Sequence, residues 1–244
     1  MTKHNTLPKL ITGPKRRFDP KNTNVFIVPP GDDFEGHIFS DRGFPVIKGV
    51  HAYNESQVAD IMVWTGGEDI DPALYGEKPL VSTNFNPHRD AREMKFWREA
   101  YQLDRDTHSS EHIMKIGICR GGQFLNALNG GRMWQDINYH GGGESHHVLD
   151  HESGRLRNVS STHHQQMIPS RDAVVVATTK MATRKYSEGV EWQRGTKNHA
   201  DKEAIDYEVL WYPNTRTLCF QPHPEYTLPK DCEDYFFELI ERYY

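Results

Sequence analysis

One short segment, Gly117-Ile118-Cys119-Arg120-Gly121, constrains this chain more than any other. It follows Lys115-Ile-Gly-Ile118, which reads as a strand, and leads into Gly122 to Asn129. There Phe124, Leu125 and Leu128 fall on one side of a predicted helix that Gly130-Gly131 stops. A strand that turns sharply into a helix at a cysteine needs glycine two residues away on each side, because larger side chains would collide. The turn holds the sulfur clear of the sheet at a helix N-terminus, where free N–H groups and the helix dipole favour thiolate over thiol. A cysteine merely packed in a core needs no such flanks. Cys119 is therefore expected to be a nucleophile, with the Arg120 N–H facing the position of a developing oxyanion.

A nucleophilic thiol needs a base, and the base an orienting group. Gln221-Pro222-His223-Pro224-Glu225 offers both: in an extended segment residues i and i+2 project to one side, so Glu225 can reach the His223 ring. Prolines on either side stiffen the loop. Upstream, Ile61-Met-Val-Trp64 reads as a strand running into Thr65-Gly66-Gly67. Backbone without side chains at a strand end suits close approach to a ligand, and the Gly66–Gly67 amides could complete an oxyanion hole.

The rest of the chain alternates in the same way. Val25 to Val28 is a predicted strand and Asp90 to about Asp104 a helix, with Met94, Trp97 and Ala100 near helical spacing. Ala173–Ala177, Glu208–Tyr212 and Thr217–Gln221 read as later strands, the last two joined by a turn at Asn214 that suggests an antiparallel edge. Asp231 to Arg242 reads as a closing amphipathic helix. Strands alternating with helices imply an α/β fold with a parallel sheet covered on both faces. With 36% hydrophobic residues, the expected sheet is small and its loops long and polar. Ala173–Ala177, the longest purely apolar stretch, is far short of the roughly 20 residues of a membrane-spanning helix.

In order along the chain, these segments resemble the class I glutamine amidotransferase superfamily, specifically its gamma-glutamyl hydrolase branch (the gamma-glutamyl-GABA hydrolase-like proteins). Thr65-Gly-Gly-Glu-Asp-Ile-Asp-Pro-Ala-Leu-Tyr-Gly76 is similar to the branch's TGG-x-D-(2)-P-(2)-YG loop. Arg89-Asp90 with Glu93 is similar to its R-D-(2)-E helix start. The Cys119 segment through Asn126 resembles GICRG-x-Q-(2)-N, and Gly130-Gly131 through Gln135-Asp136 resembles GG-(3)-QD. Ser161-Thr-His-His-Gln165 and Gln221-Pro-His-Pro-Glu225 are similar to S-x-HHQ and Q-x-HPE. The resemblance implies a three-layer α/β/α sandwich, flavodoxin-like, with a mostly parallel central sheet. It also implies a Cys119–His223–Glu225 triad and an oxyanion hole from the Gly66–Gly67 region and the Arg120 amide. Gln123 would line the substrate pocket, and the backbone around Ser161, Thr162 and His163 would help hold the substrate's amino-acid end, with His164 close by.

Two enzymatic readings follow. One is hydrolysis of a γ-glutamyl amide, in glutamine or a γ-glutamyl conjugate, through a thioester. The other is a glutaminase subunit that passes ammonia to a separate synthetase. A third, non-catalytic reading is a metal-binding or regulatory module built on His140, His146, His147 and His151. Their spacing matches no closed metal site, so they are expected to face solvent in a Gly-rich loop, and neither a metal nor a cofactor is expected. Three cysteines, Cys119, Cys219 and Cys232, form no CxxC pair and fit a reducing, cytoplasmic setting. Net charge is −5, yet residues 1–22 carry six basic side chains against Asp19 alone. That stretch is expected to be a flexible arm before one domain over residues 23–244. It lacks the apolar segment of a signal peptide and the aromatics of a nucleic-acid interface. The expected partners are a small γ-glutamyl substrate and a synthetase, with a homodimer left open. Residues 180–202, a mostly polar stretch, are expected to form a flexible flap.

Overall fold

The structure, a computed structural model, describes residues 18–29, 33–47, 59–106, 113–195 and 204–244. In chain order its strands are β1 (Val25–Ile27), β2 (Val46–Ile47), β3 (Ile61–Trp64), β4 (Met114–Ile118), β5 (Arg132–Trp134), β6 (Asp136–Ile137) and β7 (Glu144–Asp150). They continue with β8 (Leu156–Ser161), β9 (Gln166–Ile168), β10 (Val174–Thr179), β11 (Arg184–Ser187), β12 (Val190–Gln193), β13 (Asp206–Tyr212) and β14 (Thr217–Phe220). The helices are α1 (Asp33–Asp41), α2 (Pro87–Asp106), α3 (Arg120–Leu128) and α4 (Lys230–Tyr243).

The main sheet has eleven strands and follows the path β2-β1-β3-β4-β14-β13-β10-β7-β8, with β9 and β5 attached beside β13. It is larger than the composition suggested, because many of its strands are short and half-polar and so carry little hydrophobic signal. From β2 to β14 every pair is parallel. From β14 to β8 every pair is antiparallel. The β13–β14 hairpin therefore joins the two halves in mid-sheet instead of forming an edge. Its turn, Pro213–Thr215, ends at Arg216 in the left-handed region.

Alternation along the strands divides the core. Val25, Ile27, Ile61 and Val63 face a cluster with Phe39 of α1 and Phe236, Leu239 and Ile240 of α4. Phe26, Met62 and Trp64 face Ala100 of α2 and Phe124 and Leu125 of α3. These are the two helical layers over one sheet that the strand–helix alternation implies. A small sheet, β12-β11-β6, packs Ile137, Ala182 and Trp192 beside Trp134. The expected flap is thus partly a β-hairpin, while residues 196–203 lie outside the described residues.

Residues 1–17 of the basic arm also lie outside them. Its final residues are folded: Phe18 packs its ring on Phe44 and Tyr244, and Asp19 caps the turn Pro20–Asn22. Among the described residues no helix is long and apolar enough to cross a membrane. Cys219 and Cys232 lie fully buried in β14 and α4, and burial pushes both thiols up, Cys232 to about 12.

Candidate active site

The parallel strands β3, β4 and β14 end side by side, and their C-terminal extensions bring together Gly66–Gly67, Cys119 and His223–Glu225. Ligand crevices at the carboxyl ends of parallel strands are the general rule for such sheets. Cys119 has φ 50° and ψ −110°, a conformation rarely adopted by a residue with a side chain, at the junction of β4 and α3. The flanking glycines make this turn feasible. A Cβ on Gly117 would strike the Gly121 carbonyl, and one on Gly121 would strike the carbonyl of Trp64 in β3. Because backbone must move in either case, Gly121→Ala is expected to cost about 3 kcal/mol by urea denaturation. Gly142→Ala has nothing within 4 Å of the added methyl and should change stability by less than about 0.5 kcal/mol.

His223 lies beside Cys119 on one side and, through Nδ1, hydrogen-bonds Glu225 Oε1 at 2.5 Å on the other. Its ring stacks on Tyr226 with centroids 4.6 Å apart, and its backbone N–H donates to Ser160 Oγ at 2.7 Å. Burial opposes a charge on this ring, but Cys119 and Glu225 outweigh it and hold His223 well above its ordinary value. Gly66 lies against the ring: an added Cβ would sit 2.8 Å from Cε1. A cavity of about 160 Å³ opens beside Cys119, with Gly67, Asp69, Gln123, Thr162, His163 and His164 among its walls.

The i,i+2 geometry expected of His223 and Glu225 is met, and so is the approach of the Gly66–Gly67 loop. Gln123 Nε2 donates to the Gln165 carbonyl at 3.3 Å and to Gln221 Oε1 at 3.2 Å. Thr162 and His163 reach the cavity, but Ser161 does not: its Oγ donates to the His140 carbonyl at 3.0 Å, away from the thiol. Hydrogen bonding to Asp69 at 3.0 Å raises His164, whereas burial pushes His163 down to about 4. The expectation of four solvent-facing histidines fails for two of them. His140 and His146 are 0% and 5% exposed, since alternation along β7 turns His146 inward and His147 outward. His147 and His151 are exposed.

Sequence reasoning gave no role to the residues that brace this site. Arg89 donates from Nε to Glu93 at 2.8 Å, and from its terminal nitrogens to Glu68 and the Gly66 carbonyl, each at 2.7 Å. Arg120 pairs with Asp90 and Glu93, all three side chains buried. Asp90 in turn accepts from the Asp71 N–H at 2.8 Å. The first turn of α2 thus ties the Gly66–Gly67 loop to the residue after Cys119. The i,i+4 spacing of Arg89 and Glu93 was the available signal. Gln221 was also missed; its Nε2 lies 3.7 Å from the Cys119 sulfur.

The Peptidase C26 family model matches residues 47–225, about three quarters of the chain. The chain belongs to the Peptidase C26 family. The members of this class I glutamine amidotransferase-like family to which it is similar include the glutamine amidotransferase-like protein YvdE of Lactococcus lactis, 34% identical over 106 residues. That alignment covers 41% of this chain and 42% of the relative, so the chain spans less than half the length of this curated relative. Among solved structures, a glutamine amidotransferase from Thermotoga maritima superposes with TM-score 0.53 at 14% identity, covering 90% of this chain and 85% of that one. PurLQS from the same organism gives 0.53 at 15% identity, covering 91% and 99%. These likenesses extend the family's α/β fold over nearly the whole chain.

Proposed function

We propose that this protein hydrolyses the γ-glutamyl amide bond of glutamine or a γ-glutamyl conjugate. The observation that carries the reading is a cysteine on a strand-to-helix turn, linked through His223 to Glu225 and opening on a small polar cavity. The Cys119 thiolate attacks the side-chain carbonyl, forming a C–S bond, while the Gly67 and Arg120 amides face the oxyanion. The His223 imidazolium gives its proton to the departing nitrogen as the C–N bond breaks. Water, deprotonated by His223, then cleaves the thioester and releases glutamate. Gln123 and Gln165 supply polar groups for the amino-acid end; both polar atoms of the Gln165 amide are buried without a hydrogen-bond partner.

The test is release of ammonia or amine, and of glutamate, from a panel of γ-glutamyl compounds, run across pH. His223 has a raised pKa, so it keeps its proton through neutral pH and loses it only on the alkaline side. Removing the Glu225 carboxylate lowers that pKa. Glu225→Gln is therefore expected to move the alkaline limb of kcat to lower pH and to reduce kcat by about 100- to 10,000-fold. An alkaline limb that stays in place removes Glu225 from the mechanism.

The glutamine amidotransferase-like name of the Lactococcus relative supports a second reading with the same chemistry, in which the ammonia passes to a separate synthetase. Ammonia release that is negligible alone and rises when a synthetase is added selects it; full activity alone selects the hydrolase.

A further inference from the structure

A second polar cluster is buried on the far side of Ser161–His163 from Cys119. Glu208 in β13 is fully buried, and Oε1 of its carboxylate lies 3.6 Å from His140 Nδ1 and 3.5 Å from His146 Nε2. Its Oε2 lies 3.7 Å from His163 Nε2. Neither Glu208 oxygen, neither His146 ring nitrogen, nor His163 Nε2 has a hydrogen-bond partner. The outer nitrogens are anchored. His140 Nε2 meets Asp206 Oδ2 at 3.2 Å, with Asp206 held in turn by Lys185 at 2.7 Å. His163 donates from Nδ1 to the Gln165 carbonyl at 2.9 Å.

In the neutral rings, a hydrogen on each anchored nitrogen leaves the inner nitrogens of His140 and His163 as lone pairs facing the Glu208 carboxylate, with Ser161 Oγ also 3.5 Å from His140 Nδ1. Acceptors facing acceptors repel unless a cation lies between them. Imidazoles whose outer N–H groups are fixed by a carboxylate or a backbone carbonyl are the usual arrangement around a bound metal. One donor atom each from His140, His146 and Glu208 lies within 4.8 Å of the others. A tetrahedral ion with bonds near 2.0–2.1 Å requires ligands about 3.3 Å apart, close to the 3.5 and 3.6 Å seen here. His146 and Ser161 also line a separate cavity of about 510 Å³, beside Met181, which gives the cluster an entry path.

We propose that His140, His146 and Glu208 bind a divalent transition-metal ion of the zinc type, leaving the fourth position to water or a ligand from this cavity. Asp206 orients His140, and His163 faces the bound carboxylate from its other side. The ion ties β7 and β13 to the turn after β6, where the His140 carbonyl accepts from Ser161 Oγ and the His163 N–H at the start of the Thr162–His163 wall of the thiol cavity.

The test uses purified full-length protein loaded with zinc sulfate, dialysed against metal-free buffer and measured by elemental analysis. One zinc per chain is expected in the wild type, in Cys119→Ala and in His147→Gln, whose side chain lies on the exposed face. His146→Gln and Glu208→Gln are each expected to fall to background. Asp206→Asn is expected to weaken zinc binding by about 10- to 100-fold. Cobalt(II) in the wild type is expected to give the visible bands of a nitrogen- and oxygen-ligated tetrahedral site, without thiolate charge transfer. His146 borders the cavity, so His146→Gln serves as the folded variant if Glu208→Gln does not fold. Chelation should then lower the melting temperature of Cys119→Ala and leave that of His146→Gln unchanged. Background zinc in the wild type, zinc lost with Cys119, or zinc retained in His146→Gln would each overturn the proposal.

Discussion

Cys119→Ala is expected to reduce γ-glutamyl turnover by about 10⁴- to 10⁶-fold while leaving the fold in place. Alanine removes the sulfur and nothing that α3 or the sheet depends on. The glycines at 117 and 121 still admit the turn, and a methyl group occupies the space of the first side-chain carbon. His223 keeps Glu225 and Tyr226, so the base stays ordered without a nucleophile to serve. Two measurements frame the result. Substrate affinity of the variant, by calorimetry, should stay within a few-fold of wild type. Mass spectrometry of the wild type mixed rapidly with substrate should show a glutamyl group on Cys119. Alkylation should also select this cysteine, because Cys219 and Cys232 are fully buried with thiols pushed up by burial. Near-normal turnover in Cys119→Ala would place the bond-breaking step elsewhere.

Glu93→Gln is expected to cost about 3–5 kcal/mol of stability, because it leaves two buried guanidinium groups short of a carboxylate. Glu93 is fully buried and serves Arg89 and Arg120 together. Asp90 and Glu68 remain, one beside each arginine, but neither reaches both. For a chain of this length that loss corresponds to a fall of about 6–20 °C in melting temperature. The second effect falls on the reaction. Arg89 holds the Gly66 carbonyl, and no Cβ could fit at Gly67 without striking Arg89, so the loop that faces the developing oxyanion is set by this arginine. Below the transition, kcat should fall while KM changes little. A stability change under about 1 kcal/mol with normal kcat would show that the network does not position the loop.

Much of the site was legible because its signals are local. The flanking glycines at Cys119, the i,i+2 pair His223 and Glu225, and the Gly66–Gly67 strand end each follow from backbone geometry over a few residues. Helix α3 and strand β3 were legible for the same reason, since apolar spacing marks a buried face. Strands β7 and β8 were not: the exposed positions of β7 include Glu144, Ser145 and His147, β8 carries half-buried Arg157 and Asn158, and apolar residues are few in both. The β13–β14 hairpin was visible, but its place in mid-sheet depends on β14 pairing with β4 across a hundred residues of chain.

By itself, then, the sequence determined where a nucleophile could stand, what could act as its base, and that helices must cover a sheet on both faces. Those features are imposed by sterics and spacing within single segments. Only the tertiary structure decided the partners of charges far apart in the chain. It set Arg89 and Glu93 behind the Gly66 loop, and it buried His140 and His146 around Glu208. Asp206 and Glu208, two residues apart in β13, are both fully buried, so each charge must find its partner inside the fold. Which cation meets them depends on where β7 and the turn after β6 pack, because a buried charge is tolerated only where the fold brings its partner to it.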